Sequence, residues 1–104
     1  MAAPARLTPQ GLAEQHQSGQ VSLVDVREPT EYDGVHIPGS TNIPLSRLNQ
    51  AALPEGPLVL ICKSGNRSFQ GMAQLLHQGH PHPVADLEGG LSAWQQAGFP
   101  VHKR

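Results

Sequence analysis

The chain reads as an α/β domain with a small, mainly parallel sheet and helices on both faces. Three observations predict it. Short aliphatic runs alternate with helical segments, the order that a parallel sheet with crossover helices requires. The run Leu58 to Ile61 is continuously apolar between Pro57 and a polar loop, as expected of a central strand covered on both faces. Finally, 104 residues allow one domain and leave no room for a second core, so residues 1–104 are expected to form one unit.

The elements follow in order. Thr8-Pro9 supplies an N-cap and a proline at the first helical position, so a short helix should run to about Ser18 and stop at Gly19. Its apolar face, Leu12 and Ala13, is thin. Val21 to Val26 is aliphatic, rich in β-branched residues and bounded by Gly19 and Pro29, which marks a buried strand. Glu28 to Asp33 reads as a brief helical turn, His36-Ile37-Pro38-Gly39 as a turn, and Thr41 to Ile43 as a very short strand closed by Pro44. Ser46 to Ala52 is expected to form one or two helical turns before Pro54. After the Leu58–Ile61 strand, Phe69, Met72, Ala73 and Leu76 fall at i, i+3, i+4 and i+7, with Leu75 widening the stripe and Gly79 just past the end. This pattern predicts the main amphipathic helix from Arg67 onward. Pro83 to Leu87 predicts another strand, and Gly90 to Ala97 a last helix closed by Gly98 and Pro100.

Composition narrows the function classes. Seven Lys and Arg against eight Asp and Glu give a net charge of −1, and only 14% of residues are charged, so a nucleic-acid footprint is not expected. Gly 11 and Pro 10 imply many turns, yet the 38% hydrophobic fraction comes in patterned runs, which argues for a loop-rich globule rather than disorder. Neither a secretory leader nor an apolar run of membrane-spanning length is present, so a protein of the cytoplasm without membrane partners is expected. Cys62 is the single cysteine, which excludes an intramolecular disulfide and a multi-cysteine zinc site.

That cysteine lies in the informative stretch, Leu58-Val59-Leu60-Ile61-Cys62-Lys63-Ser64-Gly65-Asn66-Arg67-Ser68. It falls at the C-terminal end of a strand, where open α/β sheets place their ligands. The loop after it feeds into a helix N-terminus. Gly65 lets backbone N–H groups turn toward a common centre, the helix start adds partial positive charge, and Lys63 and Arg67 flank the centre with full charges. Each feature should favour thiolate over thiol, and the thiolate is the nucleophile. The bland alternative is a cysteine serving as a small core hydrophobe. Such a residue needs no basic, glycine-bearing loop beside it. Spacing bears on the anion: Cys62 to Arg67 is C-x4-R, one residue shorter than the C-x5-R loop with which cysteine-dependent phosphatases wrap a tetrahedral phosphate. The smaller ring suits a single sulfur atom, such as the terminal sulfur of a persulfide on Cys62.

The same residues carry a family resemblance over nearly the whole chain, from Leu7-Thr8-Pro9 to Gly98-Phe99-Pro100-Val101. Leu23-Val24-Asp25-Val26-Arg27-Glu28, Glu31-Tyr32, His36-Ile37-Pro38-Gly39-Ser40, Asn42-Ile43-Pro44-Leu45, the Cys62–Ser68 loop, Leu87-Glu88-Gly89-Gly90 and Ala93-Trp94 stand in the order and spacing of the family. The chain resembles a single-domain rhodanese, a thiosulfate sulfurtransferase homologue. The resemblance implies a rhodanese-like fold and a two-step transfer through a Cys62 persulfide. The donor would be a small sulfur-carrying anion such as thiosulfate, and the acceptor cyanide, a thiol or a protein cysteine. Cys62 would be catalytic, with Lys63, Ser64, Gly65, Asn66, Arg67 and Ser68 binding the substrate. No metal or organic cofactor is implied. One departure is that Val35 stands where the family usually has glycine, which leads us to expect a locally altered loop there.

Other residues take bland readings beside functional ones. Asp25 and Arg27 read as a fold-stabilising ion pair more readily than as catalysts. His36 could serve an incoming thiol as a base, but a thiolate made by the loop needs none, which favours a turn-stabilising role. His77, His80 and His82 are explained by a helix end and solvent without invoking a metal. Trp94 reads as core, and Gly89-Gly90 as a place where backbone passes close to the Cys62 loop. Two rival functions remain at this point: a non-enzymatic rhodanese-like binding or regulatory module, and a cysteine-dependent phosphatase or arsenate reductase.

Overall fold

The computed structural model describes residues 5–104. Seven strands, four α-helices and one 3-10 turn follow one another as β1 (Ala5–Leu7), α1 (Pro9–Gln17), β2 (Ser22–Asp25), α2 (Pro29–Gly34), β3 (Val35–His36), β4 (Thr41–Asn42), the 3-10 turn (Leu45–Arg47), β5 (Leu58–Ile61), α3 (Asn66–His77), β6 (Val84–Leu87), α4 (Gly90–Gln96) and β7 (His102–Lys103). Five strands form an entirely parallel sheet in the order β1-β6-β5-β2-β4. The strand that ends at Cys62 is thus central. A separate antiparallel pair joins β3 to β7, with Val35 opposite Lys103 and His36 opposite His102.

Each face of the sheet carries its own core because side chains alternate along a strand. On one face Leu58 and Leu60 of β5, with Cys62 just beyond its end, pack with Val24, Leu48, Met72 and Leu75, beneath α3. On the other, Val59 and Ile61 pack with Leu12 of α1 and with Leu91 and Trp94 of α4. The alternation that buries Leu58 and Leu60 therefore also directs Cys62 toward α3. Trp94 is core, as expected, and its indole N–H donates to the Pro100 carbonyl at 2.8 Å.

Caps behave as the sequence suggests for α1. The Thr8 hydroxyl accepts from the Gly11 amide at 3.1 Å, and the chain turns at Gly19. Two expectations need correction, and the structure defines a further position, Val35. The buried stripe of α3 is Ser68, Gly71, Met72 and Leu75, one residue back from the expected one, while Phe69 is 41% exposed and Ala73 also faces outward. Close packing explains the offset: a Cβ on Gly71 would stand 3.0 Å from methyls of Leu48 and Leu60, so the helix presents its small residues to the sheet. The segment expected to be helical over Ser46 to Ala52 forms only the 3-10 turn and the bends after it. Finally, Val35 has φ −159°, which is extended backbone that suits a β-branched residue. The position opens β3 instead of requiring glycine. The strands β1, β3 and β7 are additions to the sequence reading.

Candidate functional site

Cys62 follows directly on β5 and is 1% exposed. Its Sγ accepts the Gly65 amide at 3.0 Å and lies 3.5 Å from the Ser68 hydroxyl. Gly65 reaches that position because its φ is +100°, a left-handed conformation that other residues adopt at a cost. It is also the N-cap of α3, and no side chain caps the helix. Among the described residues, the amides of Lys63, Ser64, Asn66, Arg67 and Ser68 find no acceptor in the protein. A helix start whose N–H groups are uncommitted is suited to an anion.

The loop is held from three sides. The amides of Leu91 and Ser92, at the start of α4, donate to the carbonyls of Cys62 at 2.8 Å and Lys63 at 3.0 Å. A Cβ on Gly90 would lie 2.5 Å from those carbonyl groups, so the expected close passage of Gly89-Gly90 is real and tight. From β1, the Arg6 guanidinium donates to the Gly65 carbonyl at 3.0 Å. From β6, the fully buried Asp86 carboxylate accepts the Ser68 hydroxyl at 2.9 Å and both Nε and Nη2 of Arg6 at 3.0 Å. Hydrogen bonding to Asp86 raises the basicity of Arg6, against the burial that would lower it, and Cys62 adds a smaller attraction of the same sign.

The expected site residues are therefore one contiguous loop, but their charges are placed unequally. Lys63, Ser64 and Asn66 are exposed, Gly65 and Ser68 are buried, and Arg67 is half-buried. Lys63 has no acidic partner among the described residues. Arg67 does: its guanidinium donates to both oxygens of Glu31 on α2, at 2.7 and 3.0 Å. That hydrogen bonding, with help from the Glu28 amide and against partial burial, lowers the Glu31 carboxyl to about 2. Glu31 thus performs two tasks, closing the capping box of α2 and holding Arg67.

Asp25 and Arg27 form a buried ion pair at 2.8 Å. Arg27 also donates to the Val35 carbonyl, and the Asp25 carboxylate accepts the Arg27 amide. His36 stacks on Tyr32 with ring centroids 3.9 Å apart and shares its Nδ1 with the Tyr32 carbonyl at 2.8 Å, which agrees with a turn-stabilising part. His80 is less solvated than expected: its Nε2 is buried without a partner, and burial together with His82 lowers its pKa. No group of three His, Cys, Asp or Glu able to hold a metal occurs among the described residues. Arg6, Glu31 and Asp86 are absent from the sequence reading as site residues. Arg6 and Asp86 lie 80 positions apart, so only their β1–β6 pairing reveals the contact.

A parallel α/β scaffold that ends its central strand in a cysteine, and wraps that cysteine in a six-residue loop leading into a helix, defines a structural class of compact cysteine-loop domains. Comparison with known proteins shows the family. The family model for the rhodanese-like domain matches residues 8–97, and the chain belongs to this family, which is one of sulfurtransferases. It is 45% identical over 100 residues to the uncharacterized protein slr1261 of Synechocystis, covering 93% of this chain and 55% of that protein. The chain thus spans little more than half the length of that relative. A protein named sulfurtransferase from Allochromatium vinosum is 37% identical over 84 residues, which is 78% of each chain. Among solved structures, a thiosulfate sulfurtransferase from Pseudomonas aeruginosa superposes with a TM-score of 0.86 at 26% identity, over 96% of this chain and 20% of that one. No described helix is long and apolar enough to cross a membrane.

Proposed function

We propose that this domain carries sulfane sulfur on Cys62, taking it from thiosulfate or a related persulfide donor and passing it to cyanide or a thiol. The observation that supports the reading most strongly is the sulfur itself: it sits at the end of β5 with the Gly65 amide 3.0 Å away and further uncommitted amides around it. In the first step the Cys62 thiolate attacks the outer sulfur of thiosulfate. A new S–S bond forms at Sγ, the sulfur–sulfur bond of thiosulfate breaks, and its electron pair leaves with sulfite. The persulfide's terminal sulfur then lies ~2 Å beyond Sγ, carries the negative charge and faces the loop amides. In the second step an acceptor thiolate attacks that terminal sulfur, and Cys62 departs as thiolate.

The other loop residues take supporting roles in this scheme. Lys63, exposed and without an acidic partner among the described residues, meets the incoming anion first, and Arg67 assists the departing sulfite to the extent that Glu31 releases it. Ser64 and Asn66, both exposed, offer the anion amides that have no acceptor among the described residues. No metal or organic cofactor has a step. These 104 residues hold one cysteine, so an acceptor thiol lies outside them.

The test is intact-protein mass spectrometry under native conditions after incubation with thiosulfate. The expected result is the gain of one sulfur atom, absent in Cys62→Ala and removed by cyanide. A wild-type protein that stays unmodified with thiosulfate and with a low-molecular-weight persulfide sinks the reading.

A further inference from the structure

The Arg6–Asp86 pair has no part in the two chemical steps, yet the side-chain hydrogen bonds it makes beyond itself end on the sulfur loop. Arg6 reaches the loop at its apex through the Gly65 carbonyl, and Asp86 reaches it at its end through the Ser68 hydroxyl. The two contacts hold the loop at Gly65, whose amide donates to Cys62 Sγ, and at Ser68, whose hydroxyl lies beside it. We propose that Arg6 and Asp86 are positioning residues for sulfur transfer: they fix the Gly65 carbonyl away from the sulfur and leave the Ser68 hydroxyl able to turn toward it. The inference rests on Cys62 being the reacting atom, as argued above, but it concerns what prepares that atom.

Both halves of the proposal follow from donors and acceptors. A peptide unit has its N–H and C=O pointing in opposite directions, so the orientation of each loop carbonyl bears on the direction of neighbouring amides. Anchoring the Gly65 carbonyl on a guanidinium keeps an oxygen lone pair from turning toward an anionic sulfur. The Gly65 residue is also sterically fixed, since a Cβ there would meet Arg6 Nη2 at 3.0 Å and the Gly89 nitrogen at 3.1 Å.

The single Ser68 hydroxyl proton serves one acceptor at a time. In the resting thiol form the Cys62 S–H donates to Ser68 Oγ, and the Ser68 hydroxyl proton is committed to Asp86 Oδ2. That direction suits a thiol and presents a lone pair to a thiolate or persulfide. For the anionic forms the hydroxyl must rotate from Asp86 to the sulfur. A buried carboxylate that loses a donor carries a desolvation cost. Arg6 removes most of this cost because it keeps two bonds on Asp86, at 3.0 Å each, whichever way Ser68 points. Arg6 itself stays in place by resting over the exposed Phe69 ring, 5.0 Å from its centroid. The pair therefore lets one hydroxyl serve both the protonated and the anionic sulfur without leaving a buried charge alone.

The experiment uses the full chain and two readouts, the single-turnover rate of persulfide formation from thiosulfate and the rate of Cys62 alkylation by iodoacetamide at neutral pH. Arg6→Ala alone leaves Asp86 buried and unpaired, so the principal variant is the double substitution Arg6→Gln with Asp86→Asn, which removes both charges together. In a folded double variant, checked by circular dichroism and melting, both rates are expected to fall about tenfold or more while the KM for thiosulfate changes less than about threefold. Arg6→Lys keeps the charge on Asp86 but lacks the planar fork that also reaches Gly65, and it should recover part of each rate. If the double variant does not fold, Arg6→Lys carries the test, with an expected loss of about threefold or more in both rates. A folded variant that reacts at the wild-type rate in both assays overturns the proposal. Wild-type protein that alkylates normally but takes no sulfur, combined with slow alkylation in the variant, leaves the positioning role standing and removes only the sulfur-transfer reading.

Discussion

At the scale of single residues, the loop's two cations do different work. Lys63 is unpaired among the described residues, whereas Arg67 is held by Glu31, so part of its charge is already answered before any donor arrives. Glu31→Gln should therefore free Arg67 and lower the KM for thiosulfate by about two- to fivefold at low ionic strength, with salt erasing the gain. Steady-state kinetics at two salt concentrations measures this, and a raised KM would show that Arg67 needs Glu31 to stay near the loop. The same pair sets a pH dependence. The folded carboxyl of Glu31, lowered to about 2 from 4.5, lies below its unfolded value, so its stabilisation is fully present above about pH 4.5 and is lost as pH falls through 2. Both side chains are about one-third exposed, which limits the contribution to no more than about 1 kcal/mol. The stability difference between wild type and Glu31→Gln in denaturant should be constant from pH 5 upward and shrink steadily toward pH 2.

At the scale of elements, the site depends on how closely α4 and α3 approach the end of β5. Gly90 sits where the first turn of α4 binds the loop carbonyls, with φ +62° and no space for a Cβ. Gly90→Ala should destabilise the fold by about 2 kcal/mol or more, since it adds backbone strain to a contact with main-chain atoms that cannot swing aside. Loss of sulfur transfer should exceed the loss of folded protein, because the displaced atoms are the carbonyls of Cys62 and Lys63. Chemical denaturation and activity per folded molecule separate the two effects. The elements most legible in the sequence were those with a strong local cause. Leu58–Ile61 matches its strand residue for residue, and Thr8-Pro9 starts α1 where expected. The 3.6-residue pattern also located α3, but the face was misplaced because an apolar count cannot see that Gly71 and Ser68 are buried for their small size. The short strands β1, β3 and β7, unlike β4 with Pro44 to close it, have too little pattern to read, and they exist only through partners far along the chain. The Cys62 loop was visible as a continuous string. Its supports, Arg6, Glu31 and Asp86, were not, for the same long-range reason.

At the scale of the whole molecule, one domain and one cysteine constrain the kinetics. The cysteine is buried at the end of the central strand, beside a loop whose amides are largely uncommitted among the described residues. The depression beside the loop, lined by Arg6, Gly65, Asn66, Phe69 and Gln70, does not have Cys62 among its walls. In the scheme proposed above, donor and acceptor act in turn on the one sulfur of Cys62, so the acceptor attacks only after the sulfite has gone. An intramolecular disulfide cannot relieve the persulfide, because no second thiol exists in the chain. These constraints predict a ping-pong reaction: double-reciprocal plots of rate against thiosulfate at several cyanide or thiol concentrations should be parallel. The isolated persulfide form should persist after removal of thiosulfate and decay at a rate proportional to added acceptor. Intersecting lines, with no sulfur retained on the protein after gel filtration, would mean that donor and acceptor occupy the domain together. That outcome would require a second binding place outside the loop, and the amide ring around Cys62 would then be holding a transition state in place of a stored sulfur.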